Sequence, residues 1–306
     1  MNAKLCAAWV SLFACAASSA FAADLPSRKA PPVLPPPPVL TWTGFYAGLN
    51  AGGTWSNNNT ATFGAVGLVD DPIWLPGGPF ALSATGVATG NSGAGFIGGG
   101  QIGYNYQFGS SFLVGFETDI QGVAGTSGTA QAVGVAVNTV TFDPVSTPTT
   151  VTRVNRRMDY FGTVRGRLGW LVTPTLLVYG TGGFAYGGFS LSAAQYSFDP
   201  SGLYGTGFGA TSFNRTATGW TAGGGVEWMF WPNWSAKVEY LYYDLGHASS
   251  TLSPVSGLDQ TVFAAPGTLG FMNVTRVSTR LSGNIVRAGV NYHFNWGAPA
   301  PVLAKY

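Results

Sequence analysis

Residues Gly283–Phe294 read GNIVRAGVNYHF. Val286, Ala288, Val290, Tyr292 and Phe294 fall on one face of an extended chain, and Arg287, Gly289, Asn291 and His293 on the other. Successive side chains of a strand point to opposite faces, so this is one strand with an apolar and a polar side. A soluble strand also alternates, but its apolar face normally ends under a core. Here that face finishes in two aromatics, the pattern of a lipid-facing strand meeting an aromatic girdle. A strand in lipid cannot keep an open edge, because unsatisfied N–H and C=O groups are too costly there. The rest of the chain must therefore supply partners that close a barrel.

Eight segments have the length and patterning of tilted membrane strands: Trp42–Trp55, Ala94–Phe108, Ser111–Gly122, Arg157–Val172, Thr175–Phe189, Thr216–Phe230, Trp234–Leu245 and Gly283–Phe294. In the third, Phe112, Val114, Phe116 and Ile120 oppose Glu117, Asp119 and Gln121; in the fourth, Tyr160, Val164, Leu168 and Trp170 oppose Asp159, Thr163, Arg165 and Arg167. Short turns at Gly109-Ser110, Thr173-Pro174 and Trp231-Pro232-Asn233 alternate with long gaps, up to Gly246–Ser282. The expected fold is all-β: an eight-stranded antiparallel up-and-down transmembrane barrel, with short periplasmic turns and four long extracellular loops. Trp42, Trp170, Trp228, Trp231 and Trp234 are expected at the interface near the short turns.

Composition agrees. Charged residues are 8% of the chain, against roughly 25% in soluble domains. Yet no apolar run after the first residues reaches the ~18–20 residues of a membrane helix. Lys4, the apolar run from Leu5 and the small-x-small site Ala20-Phe21-Ala22 predict a signal peptide over 1–22. Leu12-Phe13-Ala14-Cys15 also loosely fits a lipoprotein box, with Phe13 unusual there. Both cysteines, Cys6 and Cys15, lie in the signal, so closure rather than disulfides must hold the fold. Residues 23–41, with Pro35–Pro38, predict an extended periplasmic leader, and 295–306 a short tail after a barrel over 42–294. A net charge of +2 gives no reason to expect a nucleic-acid partner.

The segments WTGFYAGLNAG, FIGGGQIGYNYQF, FGTVRGRLGW and VRAGVNYHF, in that order after ADLPSRKAPP, resemble the small outer-membrane barrels of alphaproteobacteria. That family includes surface antigens and hemin-binding proteins. The resemblance implies an OmpA-like eight-stranded barrel inserted by the outer-membrane assembly machinery, with the last strand as its signal. Tyr292 and Phe294 would carry that signal internally, since Asn295–Tyr306 follow and Pro299 and Pro301 cannot continue a ladder. Expected partners are outer-membrane lipid, lipopolysaccharide, the assembly machinery and periplasmic chaperones.

Face assignment puts Glu117, Asp119, Arg165, Arg167, Glu227, Lys237, Glu239 and Arg287 in the lumen. The interior of eight strands is just wide enough for side chains to fill. Balanced charges in a dry lumen must pair and hydrogen-bond. The expected result is a polar plug in place of a hydrophobic core, with Glu227 and Glu239 as candidate partners of Arg287. The competing reading is a narrow pore for small solutes. Hemin or other small-ligand binding is suggested by the resemblance alone, with His247, Tyr196, Tyr204 and Met272 as the available loop ligands. Asp244, His247 and Ser249 supply acid, base and nucleophile types near one rim, but their spacing does not make a triad, and no enzyme is expected. GGGQIG and TGGFAYGGF lack the Lys-Ser/Thr ending of a phosphate loop, and the loops carry no cofactor pattern.

Overall fold

The polar face of Gly283–Phe294 turns inward: Arg287, Gly289, Asn291 and His293 are buried, while Val286, Ala288 and Val290 are exposed. These residues end a longer strand. The structure, a computed structural model, describes residues 41–68, 77–91, 93–137, 146–260 and 267–294. The predicted signal, nearly all of the leader and the tail lie outside the described residues. The elements are β1 (Gly44–Ser56), β2 (Thr60–Gly67), α1 (Gly77–Ser83), β3 (Gly86–Gly90), β4 (Ala94–Phe108), β5 (Phe112–Ala124) and β6 (Gly128–Val135). They continue as β7 (Thr149–Thr173), β8 (Leu176–Phe198), β9 (Gly207–Trp231), β10 (Trp234–Thr251), β11 (Val255–Leu258) and β12 (Leu269–Phe294).

All pairings in the sheet are antiparallel. β1, β4, β5, β7, β8, β9, β10 and β12 pair in that order, and β12 returns to β1 through a register running from Phe45↔Phe294 to Ser56↔Gly283. The sheet is thus closed as a ring of eight strands, and among the described residues it holds twelve strands in all rather than the eight expected. The additional strands, β2, β3, β6 and β11, lie in stretches read from the sequence as loops. β2 pairs with the first half of β12, β3 bridges β2 and β6, and β6 pairs with the first half of β7. Where β1, β4 and β5 leave the ring, these three strands take their places. Gly, Ser and Thr runs disguised them, because a strand in water on one face need not carry the large outward residues that lipid demands.

Leu49 is 74% exposed and Leu168 68%, whereas Arg165 on the opposite face is 1% exposed. That inversion of a soluble protein's pattern is what a lipid-facing wall requires. No described helix is long and apolar enough to cross a membrane, which leaves crossing by strands open. The tight turns at Gly109 (φ +58°) and Asn233 (φ +72°) lie at the end where β1 starts and β12 stops. There His293 N–H donates to the Asn233 carbonyl at 2.8 Å. Trp170, Trp228, Trp231 and Trp234 are exposed near these turns.

Trp42 corrects the girdle expectation. It is 1% exposed and packs with Leu113, Leu171, Leu177, Tyr179 and Met229. Its indole Nε1–H donates to the Pro174 carbonyl at 3.0 Å, so a buried Trp finds its polar partner. It closes the turn end of the lumen instead of facing lipid. At the other end α1 lays Phe80 flat on Phe271, ring centroids 3.6 Å apart, with Tyr204 edge-on at 5.6 Å.

Candidate functional site

The eight charged residues assigned to the lumen are all buried, none more than 3% exposed. They come from β5, β7, β9, β10 and β12, held inward by the period-two alternation of each strand. Arg165 donates to Glu117 at 2.5 Å, Asp119 at 3.0 Å and Glu239 at 3.0 Å. Arg287 donates to Glu239 at 2.6 and 2.8 Å and to Asp119 at 2.8 Å. Lys237 Nζ donates to both oxygens of Glu117 at 2.9 Å. Arg167 donates to Glu227 at 2.6 Å, and its guanidinium lies 3.9 Å from the centre of the Tyr179 ring.

Neutral groups complete the shell. Tyr46 Oη–H donates to Glu117 at 2.7 Å and Tyr179 Oη–H to Glu239 at 3.1 Å. Ser235 Oγ–H and Asn291 Nδ2–H donate to Glu227 at 2.6 and 2.7 Å. Thr163 Oγ–H donates to Asp119 at 2.8 Å. His293 is buried beside them, its Nε2 at 2.9 Å from Ser235 Oγ. Four carboxylates and four cations thus neutralise one another inside a closed wall. Paired and hydrogen-bonded in this way, the charges avoid the several kcal/mol per ion that an uncompensated one costs on burial.

Two expectations about this network are corrected. Glu227 does not reach Arg287; it is taken by Arg167, and Asp119 joins Glu239 on Arg287. Nor does the polar layer replace an apolar core. Beyond it lies a buried cluster that includes Phe161, Leu241, Tyr243 and Ile285, then a second with Phe63, Val154, Leu191 and Val277. Charges are therefore sandwiched between apolar layers. The missed signal was the run of inward-parity apolar residues such as Ile97, Phe161, Leu241 and Ile285, which sequence reading had no reason to separate from lipid-facing ones.

Asp159, read as inward, sits at a bulge between Met158 and Tyr160 and is half-buried, paired with Arg157 at 2.7 Å. The extra residue flips the face on either side of it. The proposed loop ligands are not brought together. His247 is exposed on β10 opposite Arg280, Tyr196 is exposed on β8 against Phe198, and Tyr204 is buried under α1. Met272 lies opposite Ser256 of β11. Asp244 and Ser249 are engaged by separate arginines: Asp244 accepts from Arg280 at 2.5 Å and Ser249 from Arg276 at 2.8 Å.

Comparison with known proteins supplies the context. The model of a family described as outer membrane protein beta-barrel domain matches residues 10–294. A 31 kDa outer-membrane immunogenic protein of Brucella melitensis biotype 1 is 33% identical over 288 residues, covering 93% of this chain and 97% of the relative. The protein of the same description from Brucella suis biovar 1 matches equally. Among solved structures, the outer membrane protein OprG from Pseudomonas aeruginosa covers 82% of this chain and 97% of its own, at 12% identity and a TM-score of 0.34. A likeness that weak carries no argument about this chain.

Proposed function

This chain belongs to the outer membrane protein beta-barrel domain family and resides in the bacterial outer membrane, and from that premise we propose that it is a structural barrel supporting envelope integrity and cell-surface contact. The observation that carries the reading is the charge network itself. Eight mutually neutralising side chains fill the lumen within the ring of eight strands, with apolar layers beyond and Trp42 below. Such a core stiffens the wall from within and sets a layer of buried, paired side chains across the lumen.

In this reading the ring strands span the bilayer and the tight turns face the periplasm. The extended ends of β7, β8, β9 and β12, with β2, β3, β6 and β11, form the surface-exposed part. Outer-membrane lipid and lipopolysaccharide surround the wall. Periplasmic chaperones carry the unfolded chain, and the assembly machinery engages the end of β12 at Tyr292 and Phe294. The immunogenic character stated for the Brucella relatives is in keeping with surface contact. The test has two arms: conductance of the refolded protein in planar bilayers, and detergent sensitivity of cells lacking it. Closed bilayers and increased sensitivity are expected. Steady ion current with unchanged sensitivity would replace this reading with a solute pore.

A further inference from the structure

Followed once round the ring, strand pairing carries Phe45 through Tyr104, Phe116, Gly166, Gly182, Ala222, Tyr242 and Asn284 back onto β1 at Trp55. One circuit of eight strands climbs ten residues, a stagger that tilts the strands by about 40° from the barrel axis. What stands above a residue is therefore not the rest of its own strand. The upper parts of β7, β8 and β9 lean round the barrel until they stand over the lower parts of β10, β12 and β1. Two outward-facing features meet on that side.

The lower feature lies in the lipid-facing band. Ala51, Ala288 and Val238 form one row across β1, β12 and β10, and Leu49, Val290 and Ala236 form the next. The three alanines floor an open groove of about 710 Å³. Leu49, 74% exposed, is the ridge at its edge. Association in lipid rests on close packing over small residues. The upper feature lies in water. Val133, Val151, Tyr196 and Phe208 pair in one row across β6, β7, β8 and β9, and all but the half-buried Val151 are exposed, Phe208 by 64%. Polar rows with Gln131 and Arg153, then Thr129, Asn155, Ser192 and Ser212, separate it from the wall below. Twelve residues of β9 part Phe208 from Trp220 at the outer margin of that wall. That is roughly 30 Å of height, beyond the reach of an acyl chain. A contiguous apolar face exposed to water marks a contact site.

Both features fit a second copy of this chain. A neighbour anchored upright in the same membrane meets each height of this face with its own same height. Groove and ridge stand side by side on one face, the self-complementarity that a two-fold contact requires. From the groove to Phe208 the face measures roughly 50 Å by 15 Å, about 750 Å² for each copy, close to the ~800 Å² per partner of a standard interface. We propose that this face is a two-fold interface through which two copies dock side by side in the membrane. Leu49 of each copy enters the groove of the other, and the rows of Tyr196 and Phe208 meet above the bilayer. The polar rows between, Arg153 included, stay hydrated as interface rims do. Docking of this kind needs only residence in the outer membrane, whether or not the lumen conducts.

The test uses single cysteines, since residues 23–306 contain none. In phospholipid vesicles with lipid in large excess, Ala288→Cys should be joined into dimers by a short bismaleimide. Ala222→Cys, exposed on the far side of the wall, should stay monomeric. Sedimentation equilibrium in density-matched non-ionic micelles should show a dimer. Ala288→Trp, which fills the groove, and the double change Tyr196→Ser and Phe208→Ser should each weaken it by about tenfold or more while the heat-modifiable band persists. If Ala288→Trp does not fold, the double change still decides. Equal cross-linking at 288 and 222, a monomer at every concentration in both media, a trimer or larger ring, or a dimer that the double change leaves as tight as before would each overturn the proposal.

Discussion

Arg165 on β7 and Glu239 on β10 meet at 3.0 Å across the lumen, although β8 and β9 separate their strands in the wall. The barrel is therefore cross-braced through its interior as well as laced around its circumference. Removing Arg165 would leave Glu117, Asp119 and Glu239 each short of a donor. Arg165→Ala is expected to cost about 3–5 kcal/mol, the usual penalty for breaking a buried ion pair from one side. The measurement is the urea midpoint of the refolded barrel, paired with bilayer conductance. A large current with an unchanged midpoint would contradict the bracing role.

Trp42 should behave as a core residue despite standing at the start of the first strand. Trp42→Ala is expected to destabilise by about 3–5 kcal/mol, through lost packing and the cavity left among Leu113, Leu177 and Met229. Trp170→Ala, whose side chain is 58% exposed, should cost less in detergent and more in lipid. Equal losses for the two in detergent would argue against the buried placement.

Two adjacent glycines on β4 should respond oppositely. A Cβ at Gly99 would stand 2.1 Å from the Ile120 carbonyl oxygen, while one at Gly100 meets nothing closer than 3.8 Å. Gly99→Ala is expected to cost about 1–3 kcal/mol as overpacking, and Gly100→Ala close to nothing. Unfolding midpoints of the two variants, measured side by side, provide the check.

The end of β12 gives a test of assembly. Truncation after Phe294 should leave the heat-modifiable form in the membrane fraction. The double change Tyr292→Ala and Phe294→Ala should slow its appearance without abolishing the refolded barrel in vitro. If truncation alone blocks insertion, residues 295–306 have a part in assembly that Tyr292 and Phe294 do not supply.

Much of this was legible in the residues. The faces of β5 and β12 follow from strict alternation, and the eight lumen charges follow from it too, because lipid excludes a charge from the other face. Legibility failed where alternation was interrupted. The bulges at Met158/Tyr160 and Asp244/His247 reverse parity within one strand, so Asp159, inward by alternation, lies half-buried at the first of them. It failed again beyond the bilayer band. There a strand needs apolar residues only inside, and Ala61, Phe63 and Ala88 look like scattered hydrophobes in a loop. Trp42 was misplaced because an aromatic near a turn reads as interfacial unless its indole partner, the Pro174 carbonyl, is known.

The sheet that β8 and β9 carry past the apolar band, through Leu191↔Phe213 to Ser197↔Gly207, bears on immune recognition. A peptide copied from 190–215 offers every side chain, whereas the folded hairpin turns Leu191, Ala193, Gln195 and Ser197 inward. Antibodies raised on such a peptide would therefore meet only alternate contacts on the cell. An antibody that reads the folded surface here must contact neighbouring strands at once, and boiling should abolish its binding.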